Sequence, residues 1–334
     1  MSRIYEALQK AESERKTERS PVRSEGETQQ IEQPGDLDRT LRAAVAEYEI
    51  PIAERIDTEF RGGAASQSIG TSLYEAGVPS LNLDEVPRHV WMPIYSQLPA
   101  LLERGPAVEQ FRSLRSRIHE LRDISPLKSI LISSGLPQEG KSFIATNLAI
   151  SLARHKNSKV LLIDGDMRRY TLHQLLGCQP HPGLADYLSG KAEIVEVMQR
   201  SAEVPAADKQ RSAILPNLTF IAGGNGGDKA ADLSGNPRFG ELIRAASPYF
   251  DWIIVDSSPV LPVSDAVNLA RSCDGVLLVA RGGVTKFPVA QRAQSELKAA
   301  NVLGFVLNAV EKPPQAGSYY GYGYGYGYDA EKEE

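Results

Sequence analysis

Eight residues, Gly135-Leu136-Pro137-Gln138-Glu139-Gly140-Lys141-Ser142, constrain this chain more than any other stretch. They fit G-x-x-x-x-G-K-[ST] at every fixed position, the Walker A form of a phosphate-cradling loop. The pattern has meaning only between a strand and a helix, and the sequence writes both. Ser129–Ile132 (SILI) is an apolar run before it, and residues 142–156 carry a helical repeat of apolar positions after it. Gly135 and Gly140 are expected to free the backbone so that successive N–H groups turn inward around phosphate oxygens. The opening of the helix adds its dipole and its unpaired N–H groups. Lys141 is then placed to reach the β- and γ-phosphates, and the Ser142 hydroxyl to ligate Mg²⁺. Gly135 to Ser142, together with Phe143, are the expected ATP contacts.

Two further strands end in carboxylates. Val160–Ile163 is a continuous apolar run of the kind buried on both faces of a parallel sheet. Asp164 and Asp166 follow at its carboxyl end, the edge at which open α/β sheets bind ligands. Alternation along an extended strand aims both carboxylates the same way. Near a phosphate loop they can hold Mg²⁺ or accept a proton, with Arg168 expected to balance them or to touch phosphate. Trp252–Val255 leads likewise into Asp256, the Walker B form, whose carboxylate reaches the metal. Asn308, near the end of the last expected strand, is placed to read an adenine edge. The fold class expected is α/β, a P-loop NTPase-type three-layer fold around a mostly parallel central sheet.

At 334 residues and 42% hydrophobic residues, the chain is long enough for one such domain with extensions. The expected division is an N-terminal extension over 1–105, a nucleotide-binding domain over 106–312 and a tail over 313–334. Residues 1–16 read as a short helix, and 17–83 as polar, flexible linker. Residues 86–95 (VPRHVWMPIY) read as an extended arm packed on the main domain. A helix is expected over 106–125, with Phe111, Leu114, Ile118 and Leu121 as its apolar stripe. On that helix Glu109, Arg112 and Arg115 share a face, which is suited to pairing acid with arginine between neighbouring copies in a ring. Further helices are expected over 236–250, with Asn236 as N-cap and Pro237 first, and over 287–300. Two short helices split by Gly190 are expected over 181–199. The glycine-rich run 223–237 reads as a loop. Cys178 and Cys273 have no metal spacing and read as buried thiols of a reducing compartment. A net charge of -5 gives no basic excess for nucleic acid. No apolar run reaches the ~18 residues needed to span a bilayer, and the N-terminus lacks a secretory h-region, so a cytoplasmic protein is expected. The C-terminal tail, with Tyr319, Tyr320, Tyr322, Tyr324, Tyr326 and Tyr328 spaced by glycine, is of low complexity and expected to be disordered.

GLPQEGKS, LLIDGDMRR and IIVDSSP, in that order and followed by a tyrosine cluster, resemble the bacterial tyrosine kinases of capsule and exopolysaccharide systems. EQFRSLR (Glu109–Arg115) matches that family's E-x-x-R-x-x-R element, which the resemblance links to ring assembly. The resemblance implies Asp164 as the catalytic acidic residue, which accepts the hydroxyl proton, with Lys141 and Asp166 beside it. It implies Ser142, Asp166 and Asp256 around Mg²⁺, and the tail tyrosines as autophosphorylation sites. It implies a separate transmembrane activator of the chain-length-determinant type, a cognate tyrosine phosphatase and recruitment to the inner face of the cell membrane. Asp256-Ser257-Ser258-Pro259 departs from the family's D-[ST]-P-P. Two rival readings share most of these residues. One is a partitioning or septum-site ATPase switch, which would want a second lysine where Leu136 to Glu139 have none. The other is a non-catalytic ATP-binding scaffold of a polysaccharide-export complex.

Overall fold

The computed structural model describes residues 81–155, 158–202 and 215–310. The expected N-terminal helix, the linker up to residue 80 and the tyrosine tail lie outside the described residues. An eight-stranded sheet is built from β1 (Arg88–His89), β2 (Ser129–Ser134), β3 (Val160–Asp164), β4 (Met198–Ser201), β5 (Leu218–Ile221), β6 (Trp252–Asp256), β7 (Gly275–Arg281) and β8 (Val302–Asn308). The strand order is β1-β4-β5-β3-β6-β2-β7-β8, and only β4 against β5 is antiparallel.

The four central strands are buried on both faces, and their side chains alternate between two cores. Ile130, Ile132, Leu162 and Ile254 face one side, where they meet α1 (Pro106–Ile124) and α2 (Lys141–Ala153). Leu131, Leu161, Ile163 and Val255 face the other. There they meet α4 (Leu184–Leu188), α7 (Arg238–Ala246), α8 (Asp265–Ala270) and the inner side of α9 (Phe287–Glu296). The expected three-layer α/β fold is the one observed.

Several local expectations are refined. β1 pairs in parallel with β4, and the following Trp91 is 1% exposed and edge-on to Phe220, so the 86–95 arm is part of the sheet and of its core. The short helices around Gly190 are α4 and α5 (Ile194–Val197), but Met198 and Gln199 leave the helix to pair with β5 as β4. The glycine-rich run is not all loop. It holds a 3-10 turn at Gly227–Lys229 and a helix, α6, at Ala230–Ser234. Ala230, which opens that helix, is fully buried. α7 starts at Arg238, two residues after Asn236, whose Oδ1 accepts from the Arg238 N–H at 3.0 Å. A further short helix, α3, spans Leu172–Leu176. No helix among the described residues is long and apolar enough to cross a membrane.

Candidate active site

Strand register decides where the motifs meet. β2 lies between β6 and β7, with Ile132 opposite Asp256, so the loop leaving β2 rises directly beside the end of β6. In the next ladder Asp164 is opposite Asp256. Phosphate loop and both carboxylate-ending strands therefore share one sheet edge, as the motif order required.

The loop is shaped by fewer glycine dihedrals than expected. Gly140 has φ +96° and caps α2, and an added Cβ would lie 2.0 Å from Asn308 Nδ2. Gly135 is not in the left-handed region; it is needed for closeness, since a Cβ there would sit 3.2 Å from Val289 of α9. The second left-handed residue is Gln138, at φ +65°. Glu139, read as a nucleotide contact, turns inward and is 4% exposed. Its Oε2 accepts from the Leu136 N–H at 2.8 Å, and its other oxygen accepts from the Thr285 hydroxyl. Asn308 Nδ2 donates to the Glu139 carbonyl at 3.1 Å. Glu139 and Asn308 thus brace the loop, and the Leu136 N–H is already taken. The Phe143 ring packs on Phe111, with centroids 5.7 Å apart.

Ser142 Oγ donates to Asp256 Oδ2 at 2.6 Å. Lys141 Nζ lies 2.9 Å from Asp166 Oδ2, 3.9 Å from Asp256 Oδ2 and 3.2 Å from Ser142 Oγ. Asp164 is placed differently. It is fully buried, with Oδ1 accepting from the Asp166 N–H at 3.2 Å and Oδ2 from the Leu172 N–H at 3.1 Å. Arg168 does not balance these carboxylates. Its Nε donates to Asp265 Oδ2 at 2.7 Å, at the start of α8. A cleft of about 350 Å³ opens here, walled by Pro137, Gln138, Lys141, Asp166, Arg169 and Pro262 among others. Asp166, not Asp164, is the acidic residue on its wall.

This arrangement can be set beside known proteins. No family model matches the chain. Tyrosine-protein kinase etk of Escherichia coli is 34% identical over 241 residues, which are 71% of this chain and 31% of that one. The putative tyrosine-protein kinase EpsB of Ralstonia nicotianae is 33% identical over 221 residues, 65% of this chain and 28% of that one. The solved kinase domain of Escherichia coli tyrosine kinase ETK superposes with a TM-score of 0.55 at 31% identity, and the match covers 65% of this chain and 80% of that domain. The chain belongs to the bacterial tyrosine kinase family. It spans less than a third of the length of the curated relatives it matches.

For a bacterial tyrosine kinase the electrostatics of this cluster are informative. Burial works against the Lys141 ammonium, but Asp256 and Asp166 outweigh it and raise its affinity for its proton. Burial pushes the Asp256 carboxyl up to about 6, although Lys141 and the Ser142 hydroxyl pull it back. Burial, and then the charge of Asp256, hold Asp164 well above the usual carboxylate range. Asp256 Oδ1 has no hydrogen-bond partner. An orphaned buried carboxylate oxygen beside a hydroxyl is a hard-oxygen donor pair of the type Mg²⁺ takes, so Ser142 and Asp256 fit the cation. The cluster brings together Lys141, Ser142, Asp166 and Asp256. Thr285 and Asp265 had no local signal, since their contacts join positions far apart in the chain.

On α1, Glu109 and Arg112 are exposed and pair with each other at 2.5 Å, while Arg115 Nη1 donates to the Ser151 carbonyl at 2.8 Å. Cys178 and Cys273 are free, and burial raises both thiols.

Proposed function

We propose that this chain transfers the γ-phosphoryl group of ATP to tyrosine hydroxyls of its own C-terminal segment, Tyr319 to Tyr328, and so regulates the synthesis or export of an extracellular polysaccharide. The observation that carries the reading is the joining of Ser142 to Asp256 and of Lys141 to Asp166, with Lys141 and Asp166 on the wall of one cleft. Family membership supplies tyrosine as the acceptor in preference to water.

In this reading the N-terminal end of α2 and the phosphate loop hold the phosphates, and Lys141 neutralises their charge. Ser142 and Asp256 hold Mg²⁺, which supplies further charge neutralisation when bound. Asp166 meets the acceptor hydroxyl on the cleft wall. Asp166 orients the hydroxyl and takes its proton as the bond to phosphorus forms. Asp164 positions Asp166 by fixing its N–H. Arg168, held by Asp265, and Arg169 line the acceptor side. Residues 106–312, with the 81–105 arm completing the sheet, form the catalytic body. The face carrying Glu109, Arg112 and Arg115 joins copies in a ring, so tails are phosphorylated between neighbours. A transmembrane activator recruits the chain to the inner membrane face, and a tyrosine phosphatase reverses the modification.

The test is incubation of the full chain with ATP and Mg²⁺, with and without a fragment of the activator, followed by mass mapping of the C-terminal peptide. Phosphate on Tyr319 to Tyr328 that is absent in Lys141→Met is the expected result. ATP hydrolysed to free phosphate with an unmodified tail, activator present, would replace this reading with an ATPase switch.

A further inference from the structure

The first turns of α1 and the last turn of α2 enclose a second cavity, of about 490 Å³, at the end of α2 remote from the phosphate loop. Phe111, Arg112, Arg115, Ser151, Arg154 and His155 stand on its wall. Three arginines therefore line one space. Arg115 Nη1 donates to the Ser151 carbonyl, and Arg154 Nη1 donates to the carbonyls of Ala100 and Leu102, all at 2.8 Å. These carbonyls fix the guanidinium planes without neutralising them. Of these three arginines only Arg112 has a carboxylate within ion-pair distance among the described residues, and that partner, Glu109, is exposed. Burial and the neighbouring Arg112 both weaken the hold of Arg115 on its proton, the mark of cations crowded without an anion.

Arg115 and Arg154, held by neutral carbonyls, with Arg112 beside them, make a site for a multiply charged oxyanion, which guanidinium recognises through paired N–H donors. Beside Ser151 and His155, the wall also carries the apolar side chains of Phe111, Val108 and Leu102. That pairing matches an aryl phosphate, whose ring wants an apolar wall and whose oxygens want cations.

We propose that this cavity docks phosphotyrosine, and that its occupant is the phosphorylated tail of this chain, Tyr319–Glu334. The tail carries four carboxylates, Asp329, Glu331, Glu333 and Glu334, against the single Lys332. Each phosphate adds about -1.5 to -2 charge. Extended chain from Val310 to the tyrosines reaches about 30 to 60 Å, and α2, which separates the cavity from the phosphate loop, is about 20 Å long. Arg112 and Arg115 are also the residues assigned above to ring contacts. A docked phosphate withdraws those cations from the neighbouring copy, so phosphorylation loosens the ring by competing for its arginines.

The proposal rests on the autokinase reading only for the origin of the phosphate, and its test supplies the phosphate synthetically. A fluorescent peptide of residues 317–334, phosphorylated on Tyr324 and Tyr326, is titrated by anisotropy into the full chain. The chain is first stripped by a tyrosine phosphatase, and no ATP is present. Binding at least tenfold tighter than that of the unphosphorylated peptide is expected. Arg115→Ala and the exposed Arg112→Glu, each checked for native circular dichroism, should weaken it at least fivefold. Lys141→Met should leave it unchanged, and phenyl phosphate should compete. Equal binding of the two peptides overturns the proposal. So does binding that Lys141→Met abolishes while Arg112→Glu spares it, since the peptide would then occupy the catalytic cleft. Either failure leaves the mass-mapping result untouched.

Discussion

The Asp256 carboxylate is 1% exposed, and its Oδ1 has no partner. Burial raises its pKa to about 6, so the folded chain binds this proton more tightly than the unfolded chain does. Its contribution to stability therefore falls as pH rises from about 4 to about 6, and stays lost above that. Asp256→Asn removes the burden of the buried charge. Measured by calorimetry without Mg²⁺ or nucleotide at pH 7.5, the variant should be more stable than the natural chain. The gain is on the order of 1–3 kcal/mol, at about 1.4 kcal/mol per pKa unit, and should shrink as pH falls from 6 to 4. Addition of Mg²⁺ and ATP should reverse the order, because only the natural chain gains from the cation. A variant that melts lower at pH 7.5 would mean that the attraction to Lys141 exceeds the burial cost. Gly140 makes a second residue-scale case. Alanine there meets both φ +96° and the Asn308 amide, with strain of about 1–2 kcal/mol from the dihedral alone. Gly140→Ala should weaken binding of a fluorescent ATP analogue at least tenfold, and adding Asn308→Ala should not restore it.

β1 is a two-residue strand, yet it carries the chain into the core at Trp91 and Leu98, which are 1% and 0% exposed. Trp91→Ala should cost about 3–5 kcal/mol in chemical denaturation, and an unchanged midpoint would mean that the arm is not part of the cooperative fold. The arm also shows what a sequence can and cannot yield. The central strands were legible because burial on both faces demands continuous apolar residues, and VLLID and WIIVD announce both the strand and the carboxylate at its end. Parallel pairing then brings Asp164 opposite Asp256 without further information. β1 was legible only as an extended arm, since two residues with two prolines nearby set no period. β4 was hidden inside a helical pattern because Met198 and Gln199 suit either state, and pairing with β5 decides. The bracing of the phosphate loop was not legible at all. Thr285 reaches Glu139 across 146 positions, and Asp265 reaches Arg168 across 97. Contacts of that range leave no local trace, so the bracing role of Glu139 and the pairing of Arg168 with Asp265 could not be read from the sequence.

In the proposed ring, assembly would connect the catalytic cleft with the arginine-lined cavity. Glu109 and Arg112 pair within one helix, but an exposed pair spaced by three contributes only about 0.2–0.5 kcal/mol, so either partner is readily surrendered to a neighbouring copy. If copies join through this face, Arg112→Glu should reduce the mass seen by light scattering. The double exchange, Glu109→Arg with Arg112→Glu, should restore it, because a head-to-tail contact keeps its sign when both charges are reversed. Assembly also sets the kinetic order of the chemistry. A tail that enters its own cleft is phosphorylated at a rate per chain independent of concentration. A tail that enters a neighbour's cleft is not, until the ring is saturated. Initial incorporation of labelled phosphate per chain should therefore rise with chain concentration below the assembly midpoint and level off above it. Arg112→Glu should move that midpoint upward at least tenfold while leaving ATP affinity unchanged. A flat rate across the dilution series, with light scattering showing the ring dissolving over the same range, would place the reaction within single chains. The charged face of α1 would then have no part in catalysis.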